Sequence, residues 1–281
     1  MTAIWRLLQV EVYHFVSRRF FVVAMAILLA GTPLIAWFQL QAMRIGPAEG
    51  YRTLHALEIF AGGAHAGITL ATYLAVLFAG MSFAREFDHG TIKNILIRPV
   101  RRGDVFAAKC LMSVGVLFLF QTLALYAALL FAALVGDLGH VWSSNQYIVQ
   151  TSLDALAGDA WRATAVAFPA GLAGVGIALW ISNLTESSGW ATASALVVMV
   201  LMNLAATGEV ATLNSFYYPK YAFEVLGSLS RGSSALYWEP DKLAVTVAGL
   251  TMPRYVVTPL VTALLAIGMA YPVFRFKDVK A

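Results

Sequence analysis

The chain has 281 residues, of which 60% are hydrophobic and only 12% charged, with a mean hydropathy of +0.74 and a net charge of +4. So few charges cannot coat a soluble protein of this length, and so much apolar surface cannot stay unburied in a disordered chain. Cys110 is the single cysteine, which excludes a disulfide scaffold and leaves an integral membrane protein.

A bilayer core needs about 20 apolar residues in helical form. Six stretches without Asp, Glu, Lys or Arg meet that need, at about 20–43, 59–84, 110–136, 163–185, 187–208 and 255–274. The alternation of barrel strands is absent. The expected fold class is therefore an all-α membrane protein, one transmembrane domain over 1–281 with six transmembrane helices. Ahead of the first span, residues 2–19 predict an amphipathic helix with Trp5, Leu8, Val12 and Phe15 on one face, lying on the inner leaflet and ending in Arg18-Arg19. The first apolar stretch is too long for the core of a cleavable signal peptide, so none is expected.

His55, Glu58 and His65 stand near the outer entry to the second span. Their residue types suit zinc or copper. Seven residues, about 10 Å of helix, separate Glu58 from His65, so a polar helix face is the better account of them. Gly63 and Gly67 in the same span permit close helix contact. Ser82 is too far along the helix from His65 to form a hydrolytic pair, so no intramembrane hydrolase is expected.

The segment 85–109 between the second and third spans is the most polar in the chain. Asp88, His89 and Gly90 form a breaker cluster, and residues 91–97 allow about two helical turns before Pro99 stops them. Arg101, Arg102 and Gly103 predict a turn, and Asp104 an N-cap for the third span. A short helix held between two long ones suits docking of a soluble partner.

The order Glu86, Gly90-Thr91, Leu96, Pro99, Arg101-Arg102, Val105-Phe106 and Lys109 resembles the signature of ABC type 2 (ABC-2) transporter permeases, the membrane subunits of bacterial ABC exporters. The motif covers about 25 residues, and the layout of interfacial helix, six spans and long outer segment resembles the family over the whole chain. The resemblance implies a coupling helix over 86–98 on which a separate ATPase docks. Glu86 and Asp88 would set its start. Thr91, Ile92 and Ile95 would fill the ATPase groove, Gly90 would be a further coupling residue, and Arg98, Arg101 and Arg102 would make charged contacts with the ATPase or the inner leaflet. It implies two ATPase subunits, a second copy of this chain or a homologous permease, and membrane lipid as partners.

None of the six lysines is followed by Ser or Thr, so the chain has no P-loop. ATP and magnesium are expected in the partner, with no cofactor or enzymatic activity in this chain. A stand-alone channel or membrane scaffold is the alternative.

Beyond the loop, Glu186 alone separates the fourth and fifth spans, predicting a tight turn. Residues 138–153, with Ser143, Ser144, Asn145 and Gln146, are too polar for a span. Pro33 and Pro169 lie inside spans, where they are tolerated. The outer segment 209–254 is rich in aromatics suited to the interface. Gln39, Thr69, Thr72, Gln121, Thr192 and Asn203 would line a path or pair between helices. Six spans put both termini on one side. That side holds 12 of the 19 basic residues, so it is expected to be the cytoplasm of a bacterial inner membrane, with nucleic acid not required to explain the charge. The near absence of charge in the spans favours an amphiphilic or lipid-like cargo.

Overall fold

A computed structural model describes residues 3–44, 56–90, 101–138, 140–142, 148–150, 152–207, 244–247 and 250–277. Its helices are α1 (Ala3–Val16), α2 (Arg19–Arg44), α3 (Ala56–Asp88), α4 (Arg102–Val135), α5 (Leu153–Leu184), α6 (Ser188–Thr207) and α7 (Arg254–Phe276). Two short antiparallel hairpins accompany them, β1 (His140–Trp142) with β2 (Ile148–Gln150) and β3 (Ala244–Val247) with β4 (Leu250–Pro253). The first hairpin occupies the polar stretch rejected as a span.

Five stretches among the described residues are long and apolar enough to cross a membrane: Arg19–Gln41, Ile59–Asp88, Arg102–Val135, Ala167–Leu184 and Val256–Phe276. Ser188–Asn203 is apolar but shorter. The outer segment 209–254 lies outside the described residues up to β3. The tight turn expected at Glu186 is present, as Thr185-Glu186-Ser187 between α5 and α6.

α3 is the central helix, packed on α2, α4, α5 and α6, while α7 lies mainly along α5. Small residues make this possible. A Cβ on Gly63 would stand 3.2 Å from those of both Ala36 and Ala128. One on Gly67 would stand 2.8 Å from Thr32 Cγ2 and 3.2 Å from Ala124 Cβ. α2, α3 and α4 thus meet almost backbone to backbone. Gly67→Val should overpack this seam, costing about 1–3 kcal/mol and lowering the thermal midpoint of the chain in nanodiscs. Gly115→Val, at a site with open space around it, serves as the control.

Several polar groups in the spans pair between helices or within them, while Gln39 Oε1 and Thr32 Oγ1 are buried without a hydrogen-bond partner among the described residues. Gln121 Nε2 donates to Thr72 Oγ1 at 3.2 Å, and Asn203 Nδ2 donates to the Tyr73 hydroxyl at 2.7 Å. Thr69, Thr72 and Thr192 each donate to a carbonyl one turn earlier. In hydrocarbon a polar group must find such a partner.

α1 corrects one expectation. Leu8 and Phe15 turn toward the bundle, but Trp5 and Val12 are 49% and 42% exposed. The inward face runs through Leu7, Leu8, Glu11, Phe15 and Arg18. α1 carries apolar residues both toward the bundle and away from it, and the sequence pattern merged the two faces. At the corner between α1 and α2 the rings of Phe15 and Phe21 meet at 5.0 Å, and Phe15 also packs on Phe78 of α3 at 4.8 Å.

A second correction concerns the start of the third span. Arg102 already lies within α4, Arg101 is its N-cap residue, and no side chain caps it by hydrogen bond. Asp104 sits in the first turn instead, where its charge opposes the positive end of the helix dipole.

Candidate functional site

The ends of the helices that carry charge gather at one end of the bundle, where α1 and the last residues of α7 both lie. The last turn of α3 is their meeting point. α3 keeps its helical bonding through His89, whose N–H donates to Arg85 O, then tightens at Gly90, whose N–H donates to Phe87 O and whose left-handed conformation, φ +63°, turns the chain out of the helix. Three consecutive residues just before this stop each engage a different neighbour.

Glu86 accepts a hydrogen bond from Lys109 Nζ of α4 at 2.5 Å, and the same ammonium donates to Glu11 of α1 at 2.8 Å and to Ser82 O at 3.3 Å. The Lys109 side chain is 2% exposed, against 21% for Glu11 and 16% for Glu86. A buried ammonium is tolerable only because all three of its protons have acceptors. The Phe83 ring, 5.7 Å away, covers it from the apolar side. Arg18 lies close enough to feel both carboxylates. Burial, and then the neighbouring Arg85 guanidinium, lower its pKa, while Glu11 and Glu86 pull it back up. With Arg18 included, two carboxylates face two cations, so the buried knot carries no net charge.

Phe87 lies under the Lys277 ammonium, 4.0 Å from the ring centroid. Lys277 follows α7 and donates to Asn183 O at 2.8 Å and Thr185 O at 3.3 Å, closing the free carbonyls at the end of α5. Burial holds its pKa below the ordinary lysine value, with Glu186 opposing. Asp88 accepts from the hydroxyl of Ser188 at 2.8 Å and from its backbone N–H at 3.4 Å, which satisfies the start of α6. Arg102 at the start of α4 completes the ring, donating to Arg275 O in the last turn of α7 at 2.8 Å and to Lys277 O just beyond it at 3.3 Å.

A family model described as ABC-2 family transporter protein matches residues 7–168, more than half of the chain. The chain belongs to the ABC-2 transporter family. It is a multi-pass membrane protein and a permease subunit of an ABC transporter, and permeases of this family generally work with ABC ATPase partners. No curated protein matches it. The matched region contains Glu11, Glu86, Lys109 and the whole loop between α3 and α4. Lys277 and Ser188 lie beyond it.

The candidate coupling residues of this ABC-2 chain divide into two groups. Glu86, Asp88, Gly90, Arg101 and Arg102 are placed. Glu86 and Asp88 were expected to start a separate helix, yet they form the last turn of α3, because the chain does not break until Gly90. Arg101 and Arg102 start α4 instead of forming a turn. Thr91, Ile92, Ile95 and Arg98, and with them the coupling helix, lie outside the described residues. So do His55 and the side chain of Glu58. His65 sits on α3, and no group of three metal-ligating side chains occurs among the described residues.

Sequence reasoning missed Glu11, Lys277 and Ser188. Glu11 left one usable signal, a carboxylate on the otherwise apolar inward face of α1. The others left none, since their partners are about 90–100 residues away in sequence.

Proposed function

We propose that this chain is the permease of an ATP-driven exporter and that the last turn of α3 is where the work of ATP hydrolysis enters it. One observation carries this reading. The turn that leads into the coupling loop is fastened through Glu86, Phe87 and Asp88 to α1, α4, α5, α6 and the segment after α7. A push on the loop therefore reaches every helix end around it at once. A connection that only crossed the membrane surface would need no such set of buried and charged links.

In this reading the charged end of the bundle is cytoplasmic, in agreement with its excess of Lys and Arg. α6 is the fifth of six spans. It starts at that charged end, and Asn203, near its far end, pairs with Tyr73 in mid-α3. Two such permeases, alike or homologous, would enclose the route for an amphiphilic or lipid-like cargo across the bacterial inner membrane. Two ATPase subunits, supplying ATP and magnesium, would dock on the loops 91–100. This chain contributes no P-loop and acts by transmitting motion.

Affinity purification of the tagged chain from its native membranes tests the reading. A P-loop ATPase should co-purify in one-to-one ratio. A clean oligomer of the chain without an ATPase would overturn it in favour of the stand-alone channel or scaffold.

A further inference from the structure

Ser182 of α5 is fully buried, and its hydroxyl oxygen accepts two hydrogen bonds from the main chain of α3, from Phe83 N–H at 3.1 Å and Ala84 N–H at 3.0 Å. The arrangement is unusual for a serine in a span. Thr69, Thr72, Ser113, Thr164, Thr185, Thr192 and Thr262 all turn their hydroxyls back onto carbonyls of their own helix. Ser182 instead reaches across to two consecutive amides inside a neighbouring helix, one turn above Glu86, Phe87 and Asp88. In a water-free core these amides gain an acceptor that no solvent could replace.

The location matters as much as the bond. Asn183 and Thr185, just after Ser182, receive Lys277, which also lies on Phe87. Ser188, just beyond, is held by Asp88. The segment 182–188 is therefore stitched to 83–88 at three levels, and only the Ser182 link is made to the backbone of 83–88. Side-chain clasps have rotamer freedom, whereas a bond onto the main chain fixes the axial register of one helix against the other.

We propose that Ser182 is a positioning residue that sets the register of α5 against the last turns of α3, so that the α5–α6 turn and the coupling turn move as one body. This rests on the exporter reading for its functional consequence but not for its geometry.

The test uses the full chain in nanodiscs, with Ser182→Ala and Ser182→Cys, two replacements of different volume that offer a poor acceptor or none, and Ser182→Thr to restore the hydroxyl. Hydrogen exchange of the 83–84 amides should quicken about five- to tenfold in the Ala and Cys variants, the scale of one lost hydrogen bond, and return toward wild type in the Thr variant. In the complex purified with its ATPase, the Ala variant should lose most of the permease-dependent part of ATP hydrolysis, measured against the isolated ATPase subunit, while the ATPase still co-purifies. Unchanged exchange would overturn the tether. Faster exchange with full permease-dependent hydrolysis would overturn its role in coupling. Should no ATPase co-purify from wild type, the exporter reading fails, and the exchange result alone decides the positioning role.

Discussion

Lys109→Met should be the most damaging single substitution in the chain, destabilising it by about 3–5 kcal/mol, the usual scale for removing one partner of a buried ion pair. Glu11 and Glu86 would be left as two largely buried carboxylates without the ammonium that both of them contact. α1 would lose its ionic hold on α3 and α4 together. Thermal unfolding in nanodiscs reads the loss as a lowered midpoint. Neutralising the whole knot, with Glu11→Gln, Glu86→Gln and Lys109→Met combined, should recover most of the stability, because a buried ion cluster gains little over neutral groups of similar size. The triple variant separates two roles. It restores packing without restoring the charge link, so permease-dependent ATP hydrolysis should stay low. Recovery of hydrolysis along with stability would mean that the knot serves only to hold the fold.

Gly90→Val should leave the bundle folded and weaken ATPase recovery about tenfold, equivalent to about 1.4 kcal/mol. Gly90 sits at φ +63°, where a β-branched side chain is strained by about 1–2 kcal/mol or more. Nothing lies within 4 Å of where its Cβ would stand, so steric crowding plays no part. The chain relieves the strain by leaving the left-handed conformation, which redirects the loop from residue 91 onward. Glu86, Phe87 and Asp88 precede the change and keep their contacts. Gly90→Asn, which tolerates the left-handed region, should bind ATPase nearly as well as wild type. Co-purified ATPase per permease is the measurement. Equal recovery for Val and Asn would show that the exit angle of the loop is unimportant.

The membrane class, the long apolar helices and the break at Asp88-His89-Gly90 were legible in the sequence because each rests on local composition. Length without charge predicts a span whatever it packs against, and a glycine after polar residues ends a helix for conformational reasons. The faces of α1 were less legible. Trp5 and Phe15 are both apolar, and only the packing of α1 on the bundle decides that Phe15 is buried and Trp5 exposed. The start of α4 was misplaced for a related reason. Asp104 has the chemistry of an N-cap, but Arg101 takes the position, its helix held by Arg102 on carbonyls at the end of α7. The candidate site was half legible. Glu86 and Lys109 stand out within one motif, 23 residues apart. Glu11, Ser182 and Lys277 belong to the same assembly only through the fold, and a lysine that closes a helix end looks in sequence like any other basic residue beside a span.

The distances in sequence between these partners also set an order of assembly. The knot around Lys109 needs nothing after residue 109, so α1, α3 and α4 can close it while the later helices are still being made. Arg102 must wait for carbonyls 173 and 175 residues further along, and Phe87 for Lys277. Until α7 is inserted, the α3 turn is held by the Lys109 knot and then by Ser182 and Ser188 as α5 and α6 are made, while Phe87 and Arg102 still lack their partners. The turn is thus fastened in steps as the chain lengthens, and it acquires its full set of holds only when α7 arrives.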